Sequence, residues 1–345
     1  MKSRREFVKY LSAFTLASSL GVILSNGDVE ASDIYIANFD EVPPLPWPYV
    51  ELDVEYVRKL GHLGYYAFAC SGGAFWAIMT ALKEEIGYPY TLLPLPSIEE
   101  VKNAIREKKH IIVPLIHGEG GAFGWASLCG ALNGAGAAIA MVTENWKEVG
   151  KILLRWYEVT PFPSRISNEY AAKHKFLVDK YKSDKPLPQS ISYSVLCHVS
   201  VSRWCVESGY ASGSKERSER CGRLTGDVAA KAVELLNADL RGELETVAKL
   251  TLTNETAQCR VCHYKGKDFE MGQFSRGYMQ CESCHIDMRP HISTNTIDTA
   301  FDVPINTWSI LFAGIAGVGT VAHLTKRILN GRRGEKGGED KGGET

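Results

Sequence analysis

Two short segments repeat one spacing of reactive side chains, Cys259-Arg260-Val261-Cys262-His263 and Cys281-Glu282-Ser283-Cys284-His285. In each, two thiols stand two residues apart and an imidazole follows at once, which is the C-x-x-C-H pattern for covalent attachment of c-type haem. The spacing has a chemical cause. Cys259 with Cys262, and Cys281 with Cys284, can add to the two vinyl groups of a porphyrin, and His263 or His285 is then held beneath the iron as its proximal ligand. Two covalent haems c are the expectation. A zinc ribbon built on two C-x-x-C knuckles is the rival, and a His directly after both knuckles weighs against it.

The sixth ligand decides what such a haem does. A second His or a Met closes the iron and makes an electron carrier, whereas an open position makes a reductase acting on a small molecule. His198 and His291 are the first candidates for distal ligands, with His62 and His117 next; Met271, Met279 and Met288 remain alternatives. Five further cysteines, Cys70, Cys129, Cys197, Cys205 and Cys221, lie outside the two motifs. Disulfides are the usual fate of exported thiols, but an odd number cannot all pair. Four thiolates of this set would suit an iron-sulfur cluster. On one continuous helix Cys197 and Cys205 stand about 12 Å apart, too far to share a small cluster, so one of them is expected to be a bystander.

These groups must be positioned by a folded body. The chain has 345 residues, 45% hydrophobic and 23% charged, which excludes disorder as the main state. With 39 Lys+Arg against 40 Asp+Glu it has no chain-wide basic field for nucleic acid. Apolar residues at three- and four-residue spacing predict helices over 52–86, 125–141, 146–157, 169–181, 193–207 and 214–236, and Ser97 with Glu100 forms a capping box before a helix over 101–108. His110 to His117 reads as a short strand or a buried loop, and no run of alternating strands stands out. From Thr253 to His291 apolar periodicity fades, so that segment is expected to fold around something other than its own core.

The two ends read as addresses. Arg4-Arg5 before an apolar run from Tyr10 to Leu24, with Val29-Glu30-Ala31 beyond, predicts a twin-arginine signal over 1–31 and export of a prefolded protein. A proline-rich lead-in follows over 32–50. Trp308 to Leu324 is apolar, and Lys326, Arg327, Arg332 and Arg333 follow it, which predicts a transmembrane helix over 303–325 with its basic, Gly-rich tail (326–345) in the cytoplasm. Between them lie a helical cysteine-motif domain (51–250) and a dihaem segment (251–302). The fold class is therefore mainly α: a helical body, a loop-rich C-terminal dihaem segment and one C-terminal membrane helix. The expected home is the outer face of the cytoplasmic membrane.

Longer blocks carry a resemblance. Cys70-Ser71-Gly72-Gly73-Ala74-Phe75, then Leu128-Cys129-Gly130-Ala131-Leu132-Asn133-Gly134, then Leu196-Cys197-His198-Val199-Ser200 with Trp204-Cys205, then Arg220-Cys221-Gly222-Arg223, followed by the two C-x-x-C-H motifs, resemble the scattered-cysteine family to which split-Soret cytochromes c belong. The resemblance covers about Leu52 to His285. It implies a helical dihaem homodimer with four haems gathered at one end, bis-histidine iron with a sixth ligand from the neighbouring subunit, and a non-haem iron centre associated with the other cysteines. The membrane span departs from that soluble pattern. It implies an anchored version that exchanges electrons with a redox partner protein or a quinone-linked membrane complex, more an electron-transfer protein than a turnover enzyme.

Overall fold

The computed structural model describes residues 42–283 and 285. The twin-arginine signal (1–31), the membrane segment (303–325), the tail (326–345), Cys284 and His291 lie outside them. Among the described residues no helix is long and apolar enough to cross a membrane. The chain divides into two units between Thr251 and Leu252.

The first unit is helical, as its apolar spacing demands. Its helices are α1 (Val54–Ile86), α2 (Ile98–Glu107), α3 (Gly130–Val142), α4 (Trp146–Val159), α5 (Arg165–Ala172), α6 (Cys197–Ser208), α7 (Lys215–Leu240) and the single turn α8 (Leu244–Val247). Two-residue strands β1 (Pro161–Phe162) and β2 (Ser190–Ile191) pair antiparallel, Pro161 opposite Ile191. The core forms chiefly where α7 and α3 pack on α1, with Leu60, Leu63, Phe75, Ile78, Leu132, Leu224 and Val228 buried together. The expected capping box is present: the Ser97 hydroxyl accepts from Glu100 N, and Ser97 N donates to Glu100 Oε2 at 2.7 Å. The proline lead-in is stapled down at its end, because the Asn237 amide accepts from Leu52 N (3.1 Å) and donates to Leu52 O (2.9 Å).

Four expectations change. The helix predicted over 52–86 is two helices, since Ala69 has φ 56° and ψ −161°. The two halves then pack on each other, and a Cβ on Gly64 would lie 2.9 Å from Gly73 Cα; in an unbroken helix these residues would be about 13 Å apart along the axis. The predicted 125–141 helix begins only at Gly130, because Ala122, Phe123 and Ala126 take positive φ in the preceding loop. In place of a helix over 169–181, α5 ends at Ala172 and the chain continues without helix, with Phe176 N donating to the Tyr181 hydroxyl. The helix predicted from 193 starts at Cys197, its upstream residues being spent on a serine turn in which Ser192 Oγ donates to Ser194 O at 2.7 Å. His110 to His117 is a loop ending in a 3-10 turn (Ile116–Gly118) and contains no strand.

The second unit contains α9 (Asn254–His263) and a 3-10 turn (Cys281–Ser283) joined by turns. Thr253 caps α9 by accepting from Thr256 N. Large apolar side chains here lie exposed, Val261, Phe269 and Phe274 among them.

Candidate metal centre

In the first unit three cysteines sit where a helix begins. Cys70 follows the break at Ala69, Cys129 is the N-cap of α3, and Cys197 is the first residue of α6. A helix start presents unpaired N–H groups and the positive end of the peptide dipole, which favour a thiolate. Ala69 adopts a conformation nearly reserved for glycine, and such strain persists where the surrounding structure enforces it. Cys221 is different: it lies inside α7, one turn after Arg217 and directly after Arg220.

Tertiary packing gathers these four. A Cβ on Gly130 would lie 2.3 Å from Cys70 Sγ, so the Cys70 sulfur rests against the first residue of α3, beside Cys129, and only glycine leaves room for it. The starts of α3 and α6 are tied by backbone bonds: Cys129 N donates to Val195 O at 2.9 Å and Cys197 N to Ser127 O at 2.7 Å, around an antiparallel bridge between Leu128 and Leu196. Burial raises the Cys70 thiol pKa, and Cys129, Cys221 and Cys197 push it further in the same direction. Cys197 is pushed up to about 12 by burial and by Cys129 and Cys221. Burial likewise raises Cys129, opposed by the Tyr157 hydroxyl that faces it. Cys70, Cys129 and Cys197 therefore each feel neighbouring thiols. Cys205 lies eight residues along α6 from Cys197, about 12 Å by helical rise, and stands apart from the gathered set. Cys70, Cys129, Cys197, Cys205 and Cys221 are free thiols, so the disulfide alternative is not realised. Among the described residues no three His, Cys, Asp or Glu stand at the separations of one ion's ligands.

The histidines divide sharply. His62 is 0% exposed, its ring stacked on Phe176 with centroids 3.8 Å apart and its Nε2 2.9 Å from Glu219 Oε1. Burial lowers its pKa, so the neutral ring donates to the carboxylate. No face of that ring is open to a porphyrin, and His62 leaves the distal set. His117 and His198 are exposed. Backbone bonds from Phe123 N to His117 O (2.8 Å) and from His198 N to Ala126 O (3.0 Å) place both along one loop, where Phe123 (85%) and Trp125 (87%) also face outward.

In the second unit the two C-x-x-C-H segments stand together. The Thr256 hydroxyl donates to Glu282 Oε2 (3.3 Å) and accepts from Cys281 N (3.4 Å), which brings the second motif onto α9. Burial raises the Cys281 thiol pKa, and Cys259 beside it adds to the shift. His285 N donates to Cys281 O at 2.9 Å. His263 Nδ1 donates to the Gly272 carbonyl at 3.3 Å, which fixes the ring tautomer and leaves the Nε2 lone pair unprotonated. Arg260 stacks its guanidinium 3.7 Å from the Tyr264 ring centroid and 4.5 Å from that of Tyr278.

Sequence reasoning missed the groups around the thiols. Arg217, Arg220, Tyr157 and Ser200 line the four-cysteine site, and the one signal available was the pair of arginines just before Cys221 on a helix.

A helical body that collects thiols from four distant segments defines a class of redox protein. A family model described as a putative redox-active protein (C_GCAxxG_C_C) matches residues 98–235. Over 277 residues the chain is 34% identical to the split-Soret cytochrome c of Desulfovibrio desulfuricans, spanning 77% of this chain and 88% of that one. A solved structure, reported for a novel iron centre in the split-Soret cytochrome c from the same species, matches with a TM-score of 0.55 at 30% identity over 73% of this chain and 95% of that one. The chain belongs to the split-Soret cytochrome c family, and its function is redox, of the electron-transfer kind.

Proposed function

We propose that this protein is a membrane-anchored, outward-facing dihaem c-type cytochrome that carries electrons and holds a second iron centre in its helical body. The observation that carries the reading is the pairing of two complete C-x-x-C-H motifs in one short unit, with Cys259 close to Cys281 and His263 oriented through Gly272. Cys259, Cys262, Cys281 and Cys284 hold the porphyrins through sulfur, and His263 and His285 are the proximal ligands. Val261, Phe269 and Phe274 supply apolar surface for such a group to cover. Bound haem supplies one-electron chemistry.

Cys70, Cys129, Cys197 and Cys221 fit an iron-sulfur cluster or another non-haem iron centre: they are four soft donors, three of them at positive helix starts. His198 and His117, exposed beside Phe123 and Trp125, fit a distal ligand offered to the haem of a second copy in a homodimer. The export signal, the membrane lipid anchor and a quinone-linked or protein redox partner complete the reading. Intact mass of the mature protein should show two added haems, and iron analysis should exceed two per chain; colourless protein with four alkylatable C-x-x-C thiols would overturn it. With His62 locked in the core, a second reading keeps one iron open as a reductase, and a carbon monoxide shift of the reduced spectrum would favour it.

A further inference from the structure

Four arginines are buried in the helical body, and three of them have a carboxylate: Arg58 pairs with Asp227, Arg155 with Glu158 at 2.8 Å and Arg223 with Glu219 at 3.1 Å. Arg220 differs. It is 1% exposed, yet no carboxylate among the described residues lies within salt-bridge distance of it. Its Nη2 donates to Ser200 Oγ at 2.8 Å, its Nη1 is 3.9 Å from Cys221 Sγ, and its Nε is buried with no hydrogen-bond partner. Ser200 is itself buried and accepts a second bond from the Tyr157 hydroxyl at 2.9 Å, so the guanidinium is held in one place.

A guanidinium stays charged in proteins, and burying one without an anion is unfavourable. The groups that face Arg220 are Cys221, Cys129 and the Tyr157 phenol. With no carboxylate in reach, the charge that balances Arg220 falls to the cysteine sulfurs, of which Cys221 Sγ lies 3.9 Å from Nη1.

We infer that Arg220 is the fixed counter-charge of the four-cysteine centre and a positioning residue through which the fold raises that centre's reduction potential. This rests on the reading that Cys70, Cys129, Cys197 and Cys221 hold iron. One-electron reduction, by a reduced haem or by dithionite, adds one negative charge to the centre; no proton moves and Arg220 keeps its charge. A buried positive charge beside the sulfur favours the reduced form by Coulomb attraction, which low-polarity surroundings strengthen. Tyr157 and Ser200 act by holding the guanidinium toward Cys221.

The test is a mediated dithionite titration of the full-length holoprotein, following the non-haem iron by electron paramagnetic resonance and the haems by their visible bands. Arg220→Gln should lower the non-haem midpoint by at least about 59 mV, a tenfold fall in the reduced-to-oxidised ratio for one electron, while the haem midpoints stay in place. Arg220→Lys should recover much of the loss. Ser200→Asp supplies Arg220 with a carboxylate and keeps the buried arginine, so it should lower the midpoint even if Arg220→Gln does not fold. Full non-haem iron with an unmoved midpoint in Ser200→Asp, or in a folded Arg220→Gln, overturns the role of Arg220 and leaves the four-cysteine reading intact. Wild-type protein lacking non-haem iron overturns both.

Discussion

Residues 42–251 and 252–285 hold their cysteines by opposite means. In the first, four thiols far apart in sequence meet because α1, α3, α6 and α7 are fixed by a dense core, and a glycine at position 130 lets one sulfur touch the neighbouring helix. In the second, buried side chains are few, and the thiols are ordered by local bonds through Thr256 and by the spacing of five consecutive residues. A site assembled from distant segments needs a core to position it. A motif that carries its geometry in one turn of chain does not, and it can lend that geometry to a covalent group.

This difference can be broken by removing either kind of thiol. The double variant Cys281→Ser/Cys284→Ser should lose half of the covalent haem by pyridine haemochrome assay, with the thermal transition of the helical body in place; loss of that transition would mean that the first unit depends on the second. Cys221→Ser should abolish the non-haem iron found by elemental analysis, and Cys205→Ser should retain it, because only the former lies in the gathered set. Equal losses would erase the bystander assignment.

Packing offers a graded version of the same contrast. Leu60→Ala in the core should cost about 2–5 kcal/mol in urea unfolding followed by circular dichroism. Ile112→Ala, at a side chain 83% exposed, should stay within about 0.5 kcal/mol. The last contrast lies in pH dependence. Burial alone would raise the Glu219 carboxyl, but hydrogen bonds from His62 and Tyr66 and the Arg223 charge overcome it and hold the pKa down to about 2, against an ordinary 4.5. The unfolded chain takes up that proton first, so stability present above pH 4.5 is lost as pH falls toward 2. His62, lowered by burial from 6.5, adds a loss of the same sign beginning below 6.5. Urea midpoints measured from pH 7 to 3 should fall, and Glu219→Gln should flatten the lower part of that slope.

Much of the framework was legible in residue spacing. The Ser97 capping box, the helices that became α4 and α7, and the weak core of the C-terminal unit follow from periodicity and local hydrogen-bonding rules. The break at Ala69 was not legible, because alanine is the best helix former and the apolar pattern continues past it. Only the packing of the two halves makes φ 56° tolerable there. His62 shows the reverse: a polar residue between Gly61 and Leu63 reads as a candidate ligand, whereas its helical face points into the core toward Glu219 and Phe176.

The order of residues alone carries the proposal of covalent haem, since C-x-x-C-H compresses two nucleophiles and a ligand into a span shorter than any element that could displace them. It also determined a helical body, through the period at which apolar side chains recur. Which cysteines meet, which histidines remain reachable and which arginine lacks a carboxylate were decided only when the helices packed. Burial and neighbourhood are properties of three-dimensional contact, and separation along the chain carries no measure of them.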